Sequence, residues 1–329
     1  MPSIKLSVLD LVPLFENKDA AYALGQAAEL AQTAERLGFT RYWTAEHHDM
    51  PGLACTSPEV LLSHIGARTG RIRIGSGALL LPHYKPLKVA ESFHMLASLY
   101  PGRVDLGMGR APGGQAHASM ALSGNFIENI AQIPDKLRAI TELLEQNYEY
   151  DGYPVTARPI PPEPPELWML GTNSKSAAYA AEFGMGYVFG QFMSDRDGAE
   201  VLQSYRNAFK PSPRCPGPRT IVTVGFVCAD TEEEARELAA AGMSLFQSNI
   251  STEELAALAA RKLLAGTPEA LTMRLEEMSL QYGVDEFMLV TMIPDYRKRL
   301  RSFELLARSM WSSGGLQTQD KERGGFNGR

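Results

Sequence analysis

The chain has 329 residues, 44% of them hydrophobic and 21% charged, with a formal net charge of −6. This is ordinary globular composition, and a core of this size closes without staples. The acidic balance argues against a nucleic-acid partner or an anionic membrane, since both reward a basic face, and no apolar run reaches membrane-spanning length. Cys55, Cys215 and Cys228 are too few and too scattered for a disulfide framework, and no C-x-x-C pair suggests zinc. No metal site is expected. The start of the chain carries no signal-peptide pattern, so a cytoplasmic location is expected.

Short β-rich runs alternate with longer helical patterns. Residues 4–9 read as a strand, and 19–37 as a helix with one apolar face, ended by Gly38. Residues 40–45 form the second strand. Ser57-Pro58-Glu59 opens the next helix, with Ser57 as cap and Pro58 at its first position. The third strand lies within 71–81, a helix follows from about 86 to 99, and 103–108 is the fourth strand. One long helix is read over roughly 126–145. Residues 146–166 hold six prolines, Pro154 to Pro165, and form an extended insertion that cannot be helix. Alternation then resumes: strands at 167–170, 186–189, 220–228 and 286–290, helices at 174–183, 195–209, 231 onward (capping box Thr231-x-x-Glu234), 252–264, 268–282 and 296–310. Eight strands, each followed by a helix, predict an α/β fold: a (β/α)8 TIM barrel with a proline-rich insertion before the fifth strand. A single domain is expected over 1–311, with a polar, glycine-rich and disordered tail over 312–329. A doubly wound sheet is the rival, but the run Gly107-x-Gly109 has the wrong spacing for a dinucleotide fingerprint and follows the fourth strand.

In such a barrel the chemistry gathers where strands end. Glu46-His47-His48-Asp49 follows the second strand. Histidine titrates near neutrality, so His47 is a candidate for acid–base work or, equally, a packed structural histidine. Adjacent histidines on extended chain point apart, so they do not share a metal. The glycines of Gly75-Ser76-Gly77-Ala78 point either to close approach of a flat ring or to a bulge at a barrel corner. Arg110, in the glycine-rich run after the fourth strand, suits a phosphate or a plain salt bridge. Gly171-Thr172-Asn173-Ser174-Lys175-Ser176 stands at a helix N-terminus, which serves an anion or ordinary capping. Tyr84, Phe189 and Phe192 are candidate pocket walls.

In this order, Thr44–His48, Gly75–Pro82, Gly102–Arg110, Leu167–Thr172, Gly266–Glu269 and Thr291–Ile293 resemble the bacterial luciferase-like monooxygenase family, in its single-subunit, alkanal monooxygenase-like branch. The resemblance spans residues 4 to about 310. It implies a flavin-dependent monooxygenase that uses reduced FMN and O2, through a C4a peroxide of the flavin, to oxidise a small organic substrate. It implies His47 as the catalytic histidine. Ser76, Gly77, Ala78, Arg110, Leu170, Gly171, Thr172, Asn173 and Ser174 would bind the cofactor, with a non-proline cis bond at Gly77-Ala78 and the phosphate on Arg110. It also implies a homodimer and a separate flavin reductase as partners. Gly109 stands where luciferase α-subunits carry a reactive cysteine, which speaks against light emission and long-chain aldehyde oxidation. The alternatives are hydride transfer with the deazaflavin F420, and flavin binding without turnover.

Overall fold

The computed structural model describes residues 4–15, 18–244 and 263–313. Its strands are β1 Lys5–Asp10, β2 Arg41–Thr44, β3 Arg73–Ser76, β4 Leu79–Leu80, β5 Val104–Gly109, β6 Glu149–Tyr150, β7 Tyr153–Pro154, β8 Glu166–Gly171, β9 Gly186–Gly190, β10 Thr220–Cys228, β11 Leu263–Gly266 and β12 Glu286–Val290. The helices are α1 Ala20–Leu37, α2 Pro58–Gly66, α3 Pro86–Leu99, α4 Ala116–Ser123, α5 Phe126–Ala131, α6 Ile133–Leu144, α7 Ser174–Glu182, α8 Gly198–Ala208, α9 Glu232–Ser244, α10 Pro268–Tyr282 and α11 Tyr296–Ser313.

Eight parallel strands run β1-β2-β3-β5-β8-β9-β10-β12 and close on themselves, with β12 paired back to β1. Closure leaves no exposed sheet edge in the barrel proper. Along each strand side chains alternate between two apolar layers. Val8, Tyr42, Phe189, Val222 and Leu289 pack outward under the helices. Leu9, Trp43, Ala45, Trp168, Val188, Ile221, Met288 and Val290 form a second cluster that fills the barrel. The first helix shows how local signals set the frame. Asp19 caps α1 by accepting from the Tyr22 amide, and Gly38 ends it at φ +84°. Its buried alanines let the helix lie close on the sheet.

The N-terminal ends of the strands carry a dense ionic floor. Arg41 bonds Asp105 at 2.8 Å, Glu286 at 2.9 Å and Glu166 at 3.3 Å. Arg73 reaches both Asp105 and Glu166, and Arg219 reaches Glu166. The Trp168 ring lies within 4.8 Å of the Arg41 and 4.7 Å of the Arg219 guanidinium, at cation–π distance.

Several expectations are corrected. Ser57 stands before α2, but its side chain makes no cap bond; Pro58 opens the helix alone. The long helix over 126–145 is two, α5 and α6, because Pro134 lacks the N–H a continuous helix needs. Two further expectations stand: the strand within 71–81 is present, as β3 and β4, and the bond between Gly77 and Ala78 is cis. Leu263 and Leu264, assigned to a helix, belong to β11, which pairs with Gly225–Cys228 where β10 outruns the barrel. The rest of that expected helix, and the tail from 314, lie outside the described residues, while α11 runs to Ser313. The proline-rich insertion contains the small hairpin β6–β7.

Candidate active site at the barrel mouth

The residues singled out after β2, β3, β5 and β8 converge on the C-terminal face of the barrel. Arg110 follows β5 directly, and its guanidinium reaches across to the loop after β8. There Nε and Nη2 donate to Ser176 Oγ at 3.1 and 2.8 Å, and Nη2 lies 3.5 Å from Asn173 Oδ1. Asn173 caps α7, accepting from the amides of Lys175 and Ser176. No carboxylate pairs with Arg110 among the described residues. A half-buried guanidinium, a hydroxyl and a helix N-terminus meeting without a counter-ion form a socket for an anion. The remaining residues of that loop have structural contacts. Gly171 leaves room for Ser176, since a Cβ there would stand 2.3 Å from Ser176 Cβ. The Thr172 carbonyl accepts from Ser194. Leu170 packs against the interior cluster, and Ser174 begins α7.

Beside the socket lies a wall of small residues. A Cβ on Gly107 would meet the Ser76 carbonyl oxygen at 2.1 Å, and one on Gly109 would meet Ala78 Cβ at 2.9 Å. These glycines allow β3, the Gly77-Ala78 turn and β5 to approach so closely. The Ser76 hydroxyl is taken up by this contact: it donates to the Gly107 carbonyl and accepts from the Gly107 amide.

His47 stands on the loop after β2, its amide bonded to the Cys55 carbonyl at 3.0 Å. Its ring Nδ1 is buried with no protein partner, and such a nitrogen is open to a hydrogen bond from water or a ligand. Burial, with the neighbouring His48 second, pulls its pKa down to about 4. His47 is therefore a neutral imidazole at neutral pH, able to give or take a hydrogen bond, and not the titrating group its unperturbed pKa suggests.

Glu46, next to it, is 2% exposed. Its carboxylate accepts from the Leu80 amide at 2.9 Å, the Tyr84 hydroxyl at 2.9 Å and His48 Nε2 at 2.7 Å. Burial pushes its pKa up, and these three bonds oppose that shift. Tyr84 thus serves Glu46. Phe189, expected on a pocket wall, is fully buried in the outer core against α8, while Phe192 packs at the top of the interior cluster. A wide groove of about 980 Å³ between α8 and α10 contains none of the sequence-predicted residues.

Sequence reasoning left Ser176 out of the cofactor set. Its place in the site comes from Arg110, which reaches it from the end of β5.

The luciferase-like monooxygenase family model matches residues 5–288. The chain is 39% identical to the uncharacterized protein YwcH of Bacillus subtilis (strain 168), covering 92% of this chain and 98% of that protein. It is 32% identical to the N-acetyl-S-alkylcysteine monooxygenase of the same organism, covering 92% and 97%. The solved structure of apo-MsnO8 superposes with a TM-score of 0.85 at 34% identity, over 94% of this chain and 98% of that one. Mouth geometry, fold and matched segments agree, and the chain belongs to the luciferase-like monooxygenase family.

Proposed function

We propose that the chain is a flavin-dependent monooxygenase that takes reduced FMN and O2 to oxidise a small organic substrate. The observation that carries this reading is the anion socket of Arg110, Ser176 and the α7 N-terminus. It lacks a carboxylate and adjoins the tight Ala78–Gly109 wall, to which the His47 loop is tied by the Glu46 N–H on the Ala78 carbonyl. An FMN phosphate fits the charge and donors of the socket. The backbone at Gly77, Ala78 and Gly109 offers a wall with little side-chain bulk for the ring, and Ser76, Leu170, Gly171, Thr172, Asn173 and Ser174 supply the surroundings. Bound reduced flavin supplies the electrons for oxygen activation. His47, neutral at neutral pH, would offer its unpaired ring nitrogen as a hydrogen-bonding group to the bound cofactor without a formal charge. A relative named as a monooxygenase favours oxygen insertion over F420-linked hydride transfer. A separate reductase, a homodimeric assembly and a cytoplasmic setting complete the reading. No helix of the described residues is long and apolar enough to cross a membrane.

The test is titration with FMN and with F420, then product formation from a panel of small organic substrates supplied with a flavin reductase. FMN binding with oxygen-dependent product supports the reading. Selective F420 binding replaces it with hydride transfer, and FMN binding with no turnover on any substrate favours a binding protein. In His47→Ala, FMN affinity is expected to persist while turnover falls; unchanged turnover removes His47 from the mechanism.

A further inference from the structure

Glu46 is a carboxylate that the proposed chemistry does not use, and it is placed where a carboxylate is costly. It is almost fully buried, and no lysine or arginine pairs with it among the described residues; His48 is its one basic partner. What it touches gives the reason. Its backbone N–H donates to the Ala78 carbonyl at 3.3 Å, and its side chain accepts from the Leu80 amide at 2.9 Å. One residue thereby grips the chain on both sides of Leu79, immediately after the Gly77-Ala78 turn. The Tyr84 hydroxyl adds a third anchor to the same segment. On its other side Glu46 holds His48, whose amide donates to the Gly113 carbonyl in the loop that carries Arg110. Packing is tight there as well, since a Cβ on Gly114 would stand 2.2 Å from the His48 carbonyl oxygen. His47 lies between these two grips.

We propose that Glu46 is a positioning residue: its carboxylate locks the Ala78–Tyr84 segment to the His47 loop and so fixes the His47 ring relative to the wall beside the anion socket. The assignment rests on the flavin reading above. An acceptor-only group with two oxygens suits this role, because all three neighbours can donate to it. Alanine removes every tie. Glutamine keeps the length and can still accept from Leu80, provided its amide N–H groups find Tyr84 and His48 as acceptors. The phosphate end of the site, on Arg110 and Ser176, does not contact Glu46. Binding and reactivity therefore separate.

The experiment uses the full chain as wild type, Glu46→Ala, Glu46→Gln and Tyr84→Phe. The Kd for FMN is read by fluorescence, and the return of protein-bound reduced FMN to the oxidised form is followed by absorbance after mixing with oxygen. Loss of positioning on the scale of an ångström changes reactivity on the order of 10²-fold. For Glu46→Ala we expect a Kd within about threefold of wild type, and a reoxidation rate that departs from the wild-type rate by roughly tenfold or more. Glu46→Gln should restore most of the wild-type time course, and Tyr84→Phe should show a smaller departure in the same direction. If Glu46→Ala does not fold, Glu46→Gln and Tyr84→Phe decide. Reoxidation rates equal to wild type in the folded variants overturn the role of Glu46 and leave the flavin reading intact. Wild-type protein that neither binds FMN nor alters its reoxidation sinks the flavin reading itself, and this role with it.

Discussion

Replacing Asp105 by Asn keeps the shape of the side chain and removes its charge. Asp105 is fully buried in the barrel floor. It accepts from Arg41 Nη1 at 2.8 Å, from Trp43 Nε1 at 2.9 Å and from Arg73 Nε and Nη2 at 3.0 and 2.5 Å. Burial alone raises the pKa of a carboxyl group, but the Arg41 and Arg73 guanidiniums outweigh it and hold Asp105 below its ordinary range. Removing one partner of a buried ion pair costs about 3–5 kcal/mol, because the other charge stays behind without compensation. Arg41 keeps Glu286 and Glu166, and Arg73 keeps Glu166, which places Asp105→Asn toward the lower end. With an unfolding entropy of about 2.1 cal/mol/K per residue, a chain of 329 residues has roughly 0.7 kcal/mol/K in total. A loss of about 3–5 kcal/mol then lowers Tm by roughly 4–7 °C. Scanning calorimetry measures the shift, and an FMN titration should give an unchanged Kd, since the floor lies at the opposite end of the barrel. A fall in Tm below about 1 °C would refute the claim that this charge holds the floor together.

Two further outcomes follow from the mouth. Arg110→Ala removes a charge-assisted contact of about 1.5–3 kcal/mol, so FMN affinity should drop roughly 10- to 150-fold while riboflavin, which lacks the phosphate, binds as before; equal losses for both ligands would place the phosphate elsewhere. His47 has a folded-state pKa of about 4, below its unfolded 6.5, so the unfolded chain binds a proton first as pH falls. The stability this group contributes is complete above pH 6.5 and declines toward pH 4, by at most about 3 kcal/mol. Denaturant unfolding of wild type and His47→Gln should converge across that window, and parallel curves would contradict the shifted pKa.

Much of the barrel was readable from periodicity, because strands buried on both faces and helices with one apolar stripe leave different patterns. The loops after the second, third, fourth and fifth strands were equally readable, since glycine runs, Arg110 and Asn173 are out of place in a plain core. The floor was not. Arg41, Arg73, Asp105, Glu166 and Glu286 each sit alone at the start of a strand, and only closure of the barrel brings them within 3.3 Å of one another's partners. β11 escaped because Leu263 and Leu264 continue an alanine- and leucine-rich run that reads as helix, and pairing with an overlong β10 overrode that local preference. Ser176 was missed for a different reason. Its role depends on the reach of Arg110 from another strand, which no local pattern encodes.

Trp43 and Trp168 meet edge to face at 5.9 Å inside the barrel, above a floor sealed by charged side chains. This plug makes the barrel a blind well and not a tunnel. Whatever enters at the mouth must leave by the mouth, so an incoming molecule and a departing one compete for the same doorway. Side chains around the rim therefore stand on that path in both directions.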